Sequence, residues 1–294
     1  MLDEQFYQEY KSLLFSIAYR MTGTITEAED IIHDVLIDFE KSNNDQVENR
    51  KAYLCKMVTN RSIDFLKSAR RQREVYIGPW LPEPLIIHDV DPMHTVLMQD
   101  NISYALLSLM EQLSPVERAV FVLREAFGYE YVEIASFIEK EAANCRKIFS
   151  RARKKLDYKD ETNDSQVNQT ELQHLVQSFL LAATTGNIEG LLSILSNDAV
   201  LYSDGGGKAK AALVPIKTRE RVSQFIFGLI RKFGQDDKIE VDLVIVNGQI
   251  GILIKRNQKP ENVVCFEIEK KEIKHIFLIR NPEKLTYAIN GYQF

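Results

Sequence analysis

Several features are scarce in this 294-residue chain, and each absence excludes a class of protein. No apolar run approaches the length of a membrane span, and the first ten residues, MLDEQFYQEY, are too polar for a signal peptide. The chain has only three cysteines, which are widely spaced and form no CxxC pair: Cys55, Cys145 and Cys265. We therefore expect reduced thiols in a cytoplasmic protein without a membrane segment.

The composition is that of a globular protein whose charges are sorted along the chain. The apolar fraction of 45% can fill real cores, and 294 residues suffice for about two domains. The formal net charge of −5 taken alone argues against nucleic-acid binding. Acidic and basic residues are segregated, however, so some segments carry the opposite sign to the whole chain.

Residues 114–156, SPVERAVFVLREAFGYEYVEIASFIEKEAANCRKIFSRARKKL, predict three helices. Ser114 and Glu117 form a capping box with proline between them, and Gly128 suits the end of the first helix. A short helix, a tight turn near Glu139–Glu141 and a cationic helix are what a helix-turn-helix needs to place one helix in the major groove. The cations of the third helix are Arg146, Lys147, Arg151, Arg153, Lys154 and Lys155. The alternative is a solvated charged face on an ordinary bundle.

Residues 5–39 predict two helices separated by Gly23, with Thr26 and Glu29 as a capping box for the second. The outer face of the second helix carries carboxylates four residues apart: Asp30, Asp34 and Asp38. Like charges at this spacing repel one another. The row therefore indicates either a cationic partner or a solubilising face, and the spacing alone does not decide between them.

The sign reverses between Arg50 and Arg73, where eight basic residues face one acidic residue, Asp64. Tyr53, Phe65 and Tyr76 are interleaved or adjacent, and cations with aromatic rings suit contact with phosphates and stacking on unpaired bases. The basic residues are Arg50, Lys51, Lys56, Arg61, Lys67, Arg70, Arg71 and Arg73. An acidic helix followed by two basic helices favours a bridge between a basic protein partner and DNA.

Gly78–Asp100 predicts an extended linker, because its four prolines forbid a continuous helix. It contains the only tryptophan, Trp80, which such a linker commonly docks on a neighbouring surface. Four potential metal ligands in the linker match no standard spacing, so we expect no metal site there: His88, Asp89, Asp91 and His94. A second, polar linker follows Leu156.

From Glu171 onward the pattern changes to a mixture of helices and strands. Asn247-Gly248 is a strong hairpin turn between two of the strands. We expect helices at 172–180, 188–195 and 219–233, and strands at 199–203, 239–246, 250–255, 262–268 and 273–279. Helices followed by a curled antiparallel sheet predict a cone-shaped fold with an interior pocket.

The first 157 residues resemble an extracytoplasmic-function sigma factor, a promoter-specificity subunit of bacterial RNA polymerase. LLFSIAYRMTGTITEAEDIIHDVLIDF is similar to region 2 of that family, AYLCKMVTNRSIDFLKSARRQRE to its promoter-opening helix, and residues 114–156 to region 4. WLPEP at Trp80–Pro84, DGGGK at Asp204–Lys208 and NPEKL at Asn281–Leu285 resemble the signatures of the subgroup with a fused C-terminal SnoaL-like domain.

The resemblance implies roles for four sets of residues. The polymerase clamp helices would meet Asp30, His33 and Asp34. The downstream promoter element would be contacted by Asn60, Arg61, Asp64, Lys67, Arg70 and Arg71. The upstream element would be read by Asn144, Arg146, Lys147, Ser150 and Arg151. The fused domain would act in place of a separate anti-sigma factor through Trp80, Leu81, Pro82, Glu83, Pro84, Asp204, Gly205, Gly206, Gly207, Lys208, Asn281, Pro282, Glu283, Lys284 and Leu285.

The implied fold class is multidomain, with two all-α sigma domains, the second carrying the helix-turn-helix, and an α+β cone-shaped SnoaL-like domain with a curved antiparallel sheet. The implied domains are region 2 at 1–76, a proline-rich linker at 77–100, region 4 at 101–157, a polar linker at 158–170 and the SnoaL-like domain at 171–294. The implied partners are core RNA polymerase and promoter DNA, without a cofactor, a membrane or a separate anti-sigma factor. We expect the free chain to be a monomer.

Two residues depart from the family pattern in the turn before the recognition helix. Glu139 stands where glycine is usual, at a cost of about 1 kcal/mol if the residue is left-handed. Glu141 replaces the usual serine or threonine cap. Both departures concern the geometry of the turn and the bases that are read.

Other functions fit parts of the sequence. The main alternative is a DNA-binding regulator whose C-terminal cone is catalytic or ligand-sensing, with Asp198, Asp204 or His275 as general base in an apolar pocket. A stand-alone repressor is disfavoured by the acidic row, since a repressor needs no polymerase. DGGGK lacks the spacing of a phosphate-binding loop, and Ala209 stands where the magnesium-binding hydroxyl belongs.

Overall fold

The computed structural model describes residues 4–41, 47–86, 102–157, 169–232 and 238–288, and leaves aside the side chains of 4–8, 70–74 and 169. Within these ranges no helix combines the length and the apolar character needed to cross a membrane. The three cysteines are buried free thiols. The four potential metal ligands between 88 and 94 lie outside the described residues.

The N-terminal domain consists of three helices: α1 (Glu4–Thr22), α2 (Ile25–Lys41) and α3 (Arg50–Glu74). Gly23 ends α1 with a positive φ of 74°, a conformation that glycine adopts without a Cβ clash. The capping box predicted at Thr26 and Glu29 is wrong, because α2 already begins at Ile25. The Ile25 N–H donates instead to the carboxylate of Glu83, at 2.6 Å. A residue of the linker therefore caps α2 from 58 positions away.

The second helical domain contains α4 (Tyr104–Leu109), a 3₁₀ turn (Met110–Gln112), α5 (Pro115–Glu125), α6 (Tyr131–Ile138) and α7 (Ala142–Lys155). The capping box of Ser114 and Glu117 is present in both directions. Glu139 is left-handed with a φ of 54°, and Glu141 precedes α7 without a side-chain cap. The sequence thus predicted these three helices and the strained turn, but it did not predict α4.

The two helical domains share one hydrophobic core, which runs from α1 through α3 to α7. Arg118 of α5 is buried in this core, where its Nε donates to the carbonyl of Arg20 at 3.0 Å. Its guanidinium also pairs with Glu111. A buried cation that bonds to the backbone of α1 fixes the second helical domain on the first.

The C-terminal domain packs helices on a six-stranded sheet of order β2-β1-β6-β5-β4-β3. Its helices are α8 (Gln169–Thr185), α9 (Ile188–Ile194) and α10 (Arg219–Ile230), and a 3₁₀ turn (Pro282–Leu285) follows the sheet. The strands are β1 (Leu195–Asp204), β2 (Ile216–Lys217), β3 (Ile239–Val246), β4 (Gln249–Arg256), β5 (Lys259–Glu269) and β6 (Glu272–Ile279). The predicted fold class is confirmed, with two refinements: β1 and β6 run parallel, and β2 is an additional short strand.

Alternate side chains of each strand point to opposite faces of the sheet. Both faces are covered by other parts of the chain. The inner face packs on the helices of its own domain with Ile252, Val264, Phe266, Ile276 and Leu278. The outer face packs on the linker residues Leu81 and Ile86 and on Tyr104 of α4 with Leu253, Val263, Cys265, Phe277 and Ile279. The linker and α4 therefore form the second layer of the C-terminal domain.

Candidate functional site

The three short motifs meet around a buried ion pair between Asp204 and Lys284. Asp204 ends β1 and is 0% exposed, and the side chain of Lys284 is 6% exposed. Lys284 Nζ lies 2.7 Å from Asp204 Oδ2 and also donates to the carbonyl of Leu81 at 2.5 Å. The Leu81 N–H donates to the same carboxylate at 2.9 Å. We call residues 80–84, 204–208 and 281–285 the motif cluster.

Tyr76 extends the hydrogen bonds of the ion pair toward α3. Its hydroxyl donates to Asp204 Oδ1 at 2.7 Å and accepts from Asn281 Nδ2 at 2.9 Å. Burial and the adjacent carboxylate raise the pKa of Tyr76, so its hydroxyl remains a donor. A Cβ on Gly206 would lie 2.4 Å from Asn281 Nδ2 and 2.7 Å from the Tyr76 oxygen. The DGGGK loop therefore needs glycine at this point for close approach.

Trp80 lies on the side of the motif cluster that faces the end of α1. The Lys284 ammonium lies 4.1 Å from the centre of its ring, within the range of a cation–π contact. A Cβ on Gly23 would lie 2.9 Å from the same ring. The Glu83 N–H donates to the Gly23 carbonyl at 2.8 Å, so the linker is bonded to α1 beside the ring.

Four residues were not predicted to belong to this site: Tyr19, Tyr76, Tyr104 and Asn247. Tyr76 was predicted to stack on unpaired bases, whereas its hydroxyl bonds to Asp204 and Asn281. Tyr19 and Tyr104 donate to the carbonyls of Glu83 and Pro82, respectively, at 2.6 and 2.7 Å. Asn247 forms the predicted hairpin turn, but its amide also donates to Tyr19 and accepts from the Leu85 N–H. The Asn-Gly pair predicted only the hairpin turn, because the hydrogen-bond partners of the Asn247 side chain are distant in the sequence.

Glu83 makes the attachment of the linker to α2 dependent on pH. Burial raises the pKa of its carboxyl above the usual 4.5, although the Ile25 N–H partly opposes the rise. The folded chain then holds this proton more tightly than the unfolded chain, so the contribution is present below pH 4.5 and is lost as the pH rises through the folded pKa. We expect the free energy of unfolding of the wild type, relative to Glu83→Gln, to fall over this window.

Chemical denaturation at a series of pH values measures this difference. The glutamine variant keeps an oxygen that accepts from the Ile25 N–H and does not titrate, so it is the matched control. Glu83→Ala also loses the helix cap, at about 1 kcal/mol at every pH. A difference between wild type and Glu83→Gln that stays constant with pH would contradict the assignment.

The recognition helix α7 presents one cationic face to solvent. Asn144, Arg146, Lys147, Ser150 and Arg151 are exposed and line one concave surface together with Ala143. The opposite face packs into the core through Cys145, Ile148 and Ala152. The Arg146 guanidinium lies 5.1 Å from the centre of the Tyr131 ring on α6, which supports its position at the start of the face.

The end of α7 differs from its start. Lys155 Nζ lies 2.7 Å from Glu117, the capping residue of α5. Burial opposes the effect, but Lys155 and the Ser114 amide hold the pKa of Glu117 below its usual value. Lys155 therefore ties α7 to α5, whereas the neighbouring Lys154 is exposed to solvent.

The predicted downstream-element residues on α3 are partly covered by the helix-turn-helix. Asn60 Nδ2 donates to the carbonyl of Phe137 on α6 at 2.8 Å. Lys56 lies 3.0 Å from Glu139 in the strained turn. Asp64 and Lys67 pair with each other at 2.7 Å on the exposed side. The side chains of Arg70 and Arg71 lie outside the described part of the chain.

The acidic row on α2 has a cationic partner within the chain. Arg61 of α3 lies 3.3 Å from Asp34 and also pairs with Asp38. Asp30 and His33 are exposed on the same helix. These ion pairs reduce the repulsion between the carboxylates of the row. Because both pairs are exposed to solvent, another cation can replace Arg61 at little cost in free energy.

The C-terminal domain contains a cavity of about 540 Å³, but the three suggested general bases do not line it. Asp204 lies in the motif cluster, and Asp198 hydrogen-bonds to Ser196 at 3.0 Å. His275 points to the outer face of the sheet, where it pairs with Glu267 and makes an edge-to-face contact with the Tyr202 ring. Lys208 of the DGGGK loop pairs with Glu283. None of the three residues suggested as a general base therefore lines this apolar cavity.

Comparison with known proteins shows which families and which relatives this chain is similar to. Residues 6–72 match the model of sigma-70 region 2, and residues 103–156 match that of sigma-70 region 4. The extracytoplasmic-function (ECF) RNA polymerase sigma factor SigJ of Mycobacterium tuberculosis is 27% identical over 95% of this chain and 92% of its own. The probable ECF sigma factor SigI of the same species is 27% identical over 95% of this chain and 93% of its own.

The likeness extends to the whole arrangement of domains. The crystal structure of Mycobacterium tuberculosis SigJ aligns with a TM-score of 0.78 and 25% identity, over 97% of this chain and 98% of that one. Regions 2 and 4 with a helix-turn-helix define an RNA polymerase sigma factor, a protein of transcription initiation. Over nearly its whole length the chain is similar to extracytoplasmic-function sigma factors, and to SigJ among them.

Proposed function

We propose that this chain binds core RNA polymerase through α2 and directs it to promoters that α3 and α7 contact. The exposed face of α7 carries the proposal, because it offers two guanidiniums, an ammonium, an amide and a hydroxyl on one concave surface. These are the groups that bind base edges and phosphates in the major groove. The domain boundaries at 76, 100, 157 and 170 belong to the same proposal, and the bounds of α3, α7 and α8 support them.

The proposed polymerase contact consists of Asp30, His33 and Asp34 on the exposed side of α2. A basic partner would replace Arg61 at Asp34, exchanging one solvent-exposed ion pair for another. Arg61 would then be released toward the downstream promoter element. The same exchange would couple polymerase binding to DNA binding, since one residue takes part in both surfaces.

The proposed role of the C-terminal domain is to hold regions 2 and 4 together. Asn60 bonds to Phe137 in this arrangement, so the downstream-element face of α3 becomes free only when the two regions separate. The linker between them is bonded to α1 and α2 on one side and to the sheet on the other. Release of the motif cluster would let the linker extend, and no separate anti-sigma factor would be needed.

Changing Arg146 to alanine should relax the sequence preference at one base pair of the upstream element, by about 1–3 kcal/mol. Lys154→Ala should weaken binding to all sequences alike and reduce the salt slope by about one unit, as expected for a phosphate contact. The measurement is transcription in vitro with core polymerase on a library of promoter fragments, together with binding at several salt concentrations.

Lys155→Ala is the matched control for these variants, because its ammonium bonds to Glu117 within the chain. It should leave the salt slope unchanged and lower stability slightly. Equal losses of specificity in the Arg146 and Lys154 variants would contradict the proposed division of contacts. An absence of any transcription with core polymerase would contradict the proposed function itself.

A further inference from the structure

The cavity of the C-terminal domain has the volume and lining of a small-molecule site. Its volume of about 540 Å³ falls within the usual range of about 300–1,000 Å³ for such sites. The walls are apolar and come from Phe179 and Ala183 of α8, Ile226 of α10, and Ile252 and Ile276 of the sheet. Walls of this kind favour a ligand with an apolar body.

The polar part of the lining lies at one end of the cavity. The start of β5 and the end of β6 share this end of the sheet, because Val263 pairs with Ile279. The loop after β1 reaches the same end, where the Lys210 carbonyl accepts from the Arg280 guanidinium. The polar lining residues found here are Lys210, Arg256, Glu261, Asn262 and Arg280.

The charge at this end is positive. Among the described lining residues of this end, three are cationic and one is acidic: Lys210, Arg256 and Arg280 against Glu261. Glu261 neutralises Arg256 through a two-point contact at 2.8 and 3.0 Å and lies 3.6 Å from Arg280. One carboxylate thus leaves an excess of positive charge beside an apolar cavity, which favours an anionic head group over a cationic one.

We propose that this cavity binds an amphipathic carboxylic acid. The apolar body lies between α8, α10 and the inner face of the sheet, and the carboxylate lies beside Lys210 and Arg280. The site is connected to the motif cluster, because the Lys210 loop begins at Asp204 and the backbone N–H of Arg280 donates to the Asp204 carbonyl at 2.8 Å. An effect of the ligand on transcription through this connection rests on the proposed function. Binding of the carboxylic acid to the cavity does not depend on the proposed function.

Isothermal titration of the full-length chain with decanoate tests the site. We expect one decanoate per chain. Decylammonium, with an apolar tail of matched size and the opposite charge, should bind at least about tenfold more weakly. Butyrate lacks six methylenes and should bind more than about a thousandfold more weakly. Failure of decanoate to bind, or equal affinity for decanoate and decylammonium, overturns the proposal.

Two pairs of variants locate the binding. Ala183→Phe fills the cavity and should abolish binding, whereas Leu181→Phe on the exposed side of α8 should not change it. Lys210→Met should weaken decanoate about three- to fivefold, as expected for one exposed charge, and the exposed Lys217→Met should have no effect.

Retained affinity in a folded Ala183→Phe variant overturns the proposal, as does an unchanged affinity in Lys210→Met, which should fold normally because the residue is exposed. All of these readouts use the free chain without polymerase, so their failure would leave the proposed function in transcription intact.

Discussion

Replacing Lys284 with methionine is expected to release the C-terminal domain from the linker. The ammonium is the cation paired with the fully buried Asp204. Without it the buried carboxylate loses its cation and keeps the hydrogen bonds from the Tyr76 hydroxyl and the Leu81 N–H. Removing one partner of a buried pair costs about 3–5 kcal/mol. This loss is large compared with the polar interdomain contacts that remain.

The release can be followed through Trp80, the only tryptophan of the chain. Its ring lies against Lys284 and Gly23 when the motif cluster is assembled, and its emission should shift to longer wavelength when the linker leaves. Transcription in vitro at limiting concentrations of the chain should rise, because separation of regions 2 and 4 uncovers Asn60. Denaturant titration of the Trp80 signal gives the change in free energy.

Two variants serve as controls for the Lys284 result. Lys208→Met removes the neighbouring exposed pair with Glu283 and should cost less than about 1 kcal/mol. Asp204→Asn combined with Lys284→Met removes both charges and should recover part of the loss, because the amide oxygen still accepts from the Leu81 N–H. Equal effects of Lys208→Met and Lys284→Met would show that the buried pair does not hold the domains together.

Local signals in the sequence predicted the parts of the fold that depend on neighbouring residues. The capping box at Ser114 and Glu117 involves residues three positions apart, and the structure contains it. The tight turn near Glu139–Glu141 follows from the short distance between two apolar helical patterns, and the structure contains it, with Glu139 in the left-handed conformation. Both features are determined within one or two turns of helix, where periodicity and capping chemistry are reliable.

Contacts between distant segments could not be derived in this way. Thr26 and Glu29 have the spacing of a capping box, yet Glu83 caps α2, because packing of the linker on α1 brings that carboxylate to the helix end. Asn60 was expected to face DNA, and in this arrangement it bonds to α6. Spacing along the chain carries no information about such partners, since it does not say which surfaces pack together.

Gly206→Ala should open the motif cluster by adding a single methyl group. The residue has a positive φ of 56°, so a Cβ brings strain of about 1 kcal/mol. The same Cβ would lie 2.4 Å from Asn281 Nδ2 and 2.7 Å from the Tyr76 oxygen, so both side chains must move. Two hydrogen bonds around Asp204 are then lost or distorted, at about 1 kcal/mol each.

Gly207→Ala is the matched control, because it shares the loop and the positive φ, here 72°. The three atoms nearest to its Cβ all belong to Ile77, and the closest of them is the end of this exposed side chain, which can move aside. Hydrogen exchange of the Leu81 amide reports the opening directly, since that N–H donates to Asp204. We expect exchange about thirtyfold faster in Gly206→Ala than in Gly207→Ala, corresponding to about 2 kcal/mol. Equal rates in the two variants would mean that loop strain alone, and not the contact with Tyr76 and Asn281, controls the attachment of the C-terminal domain.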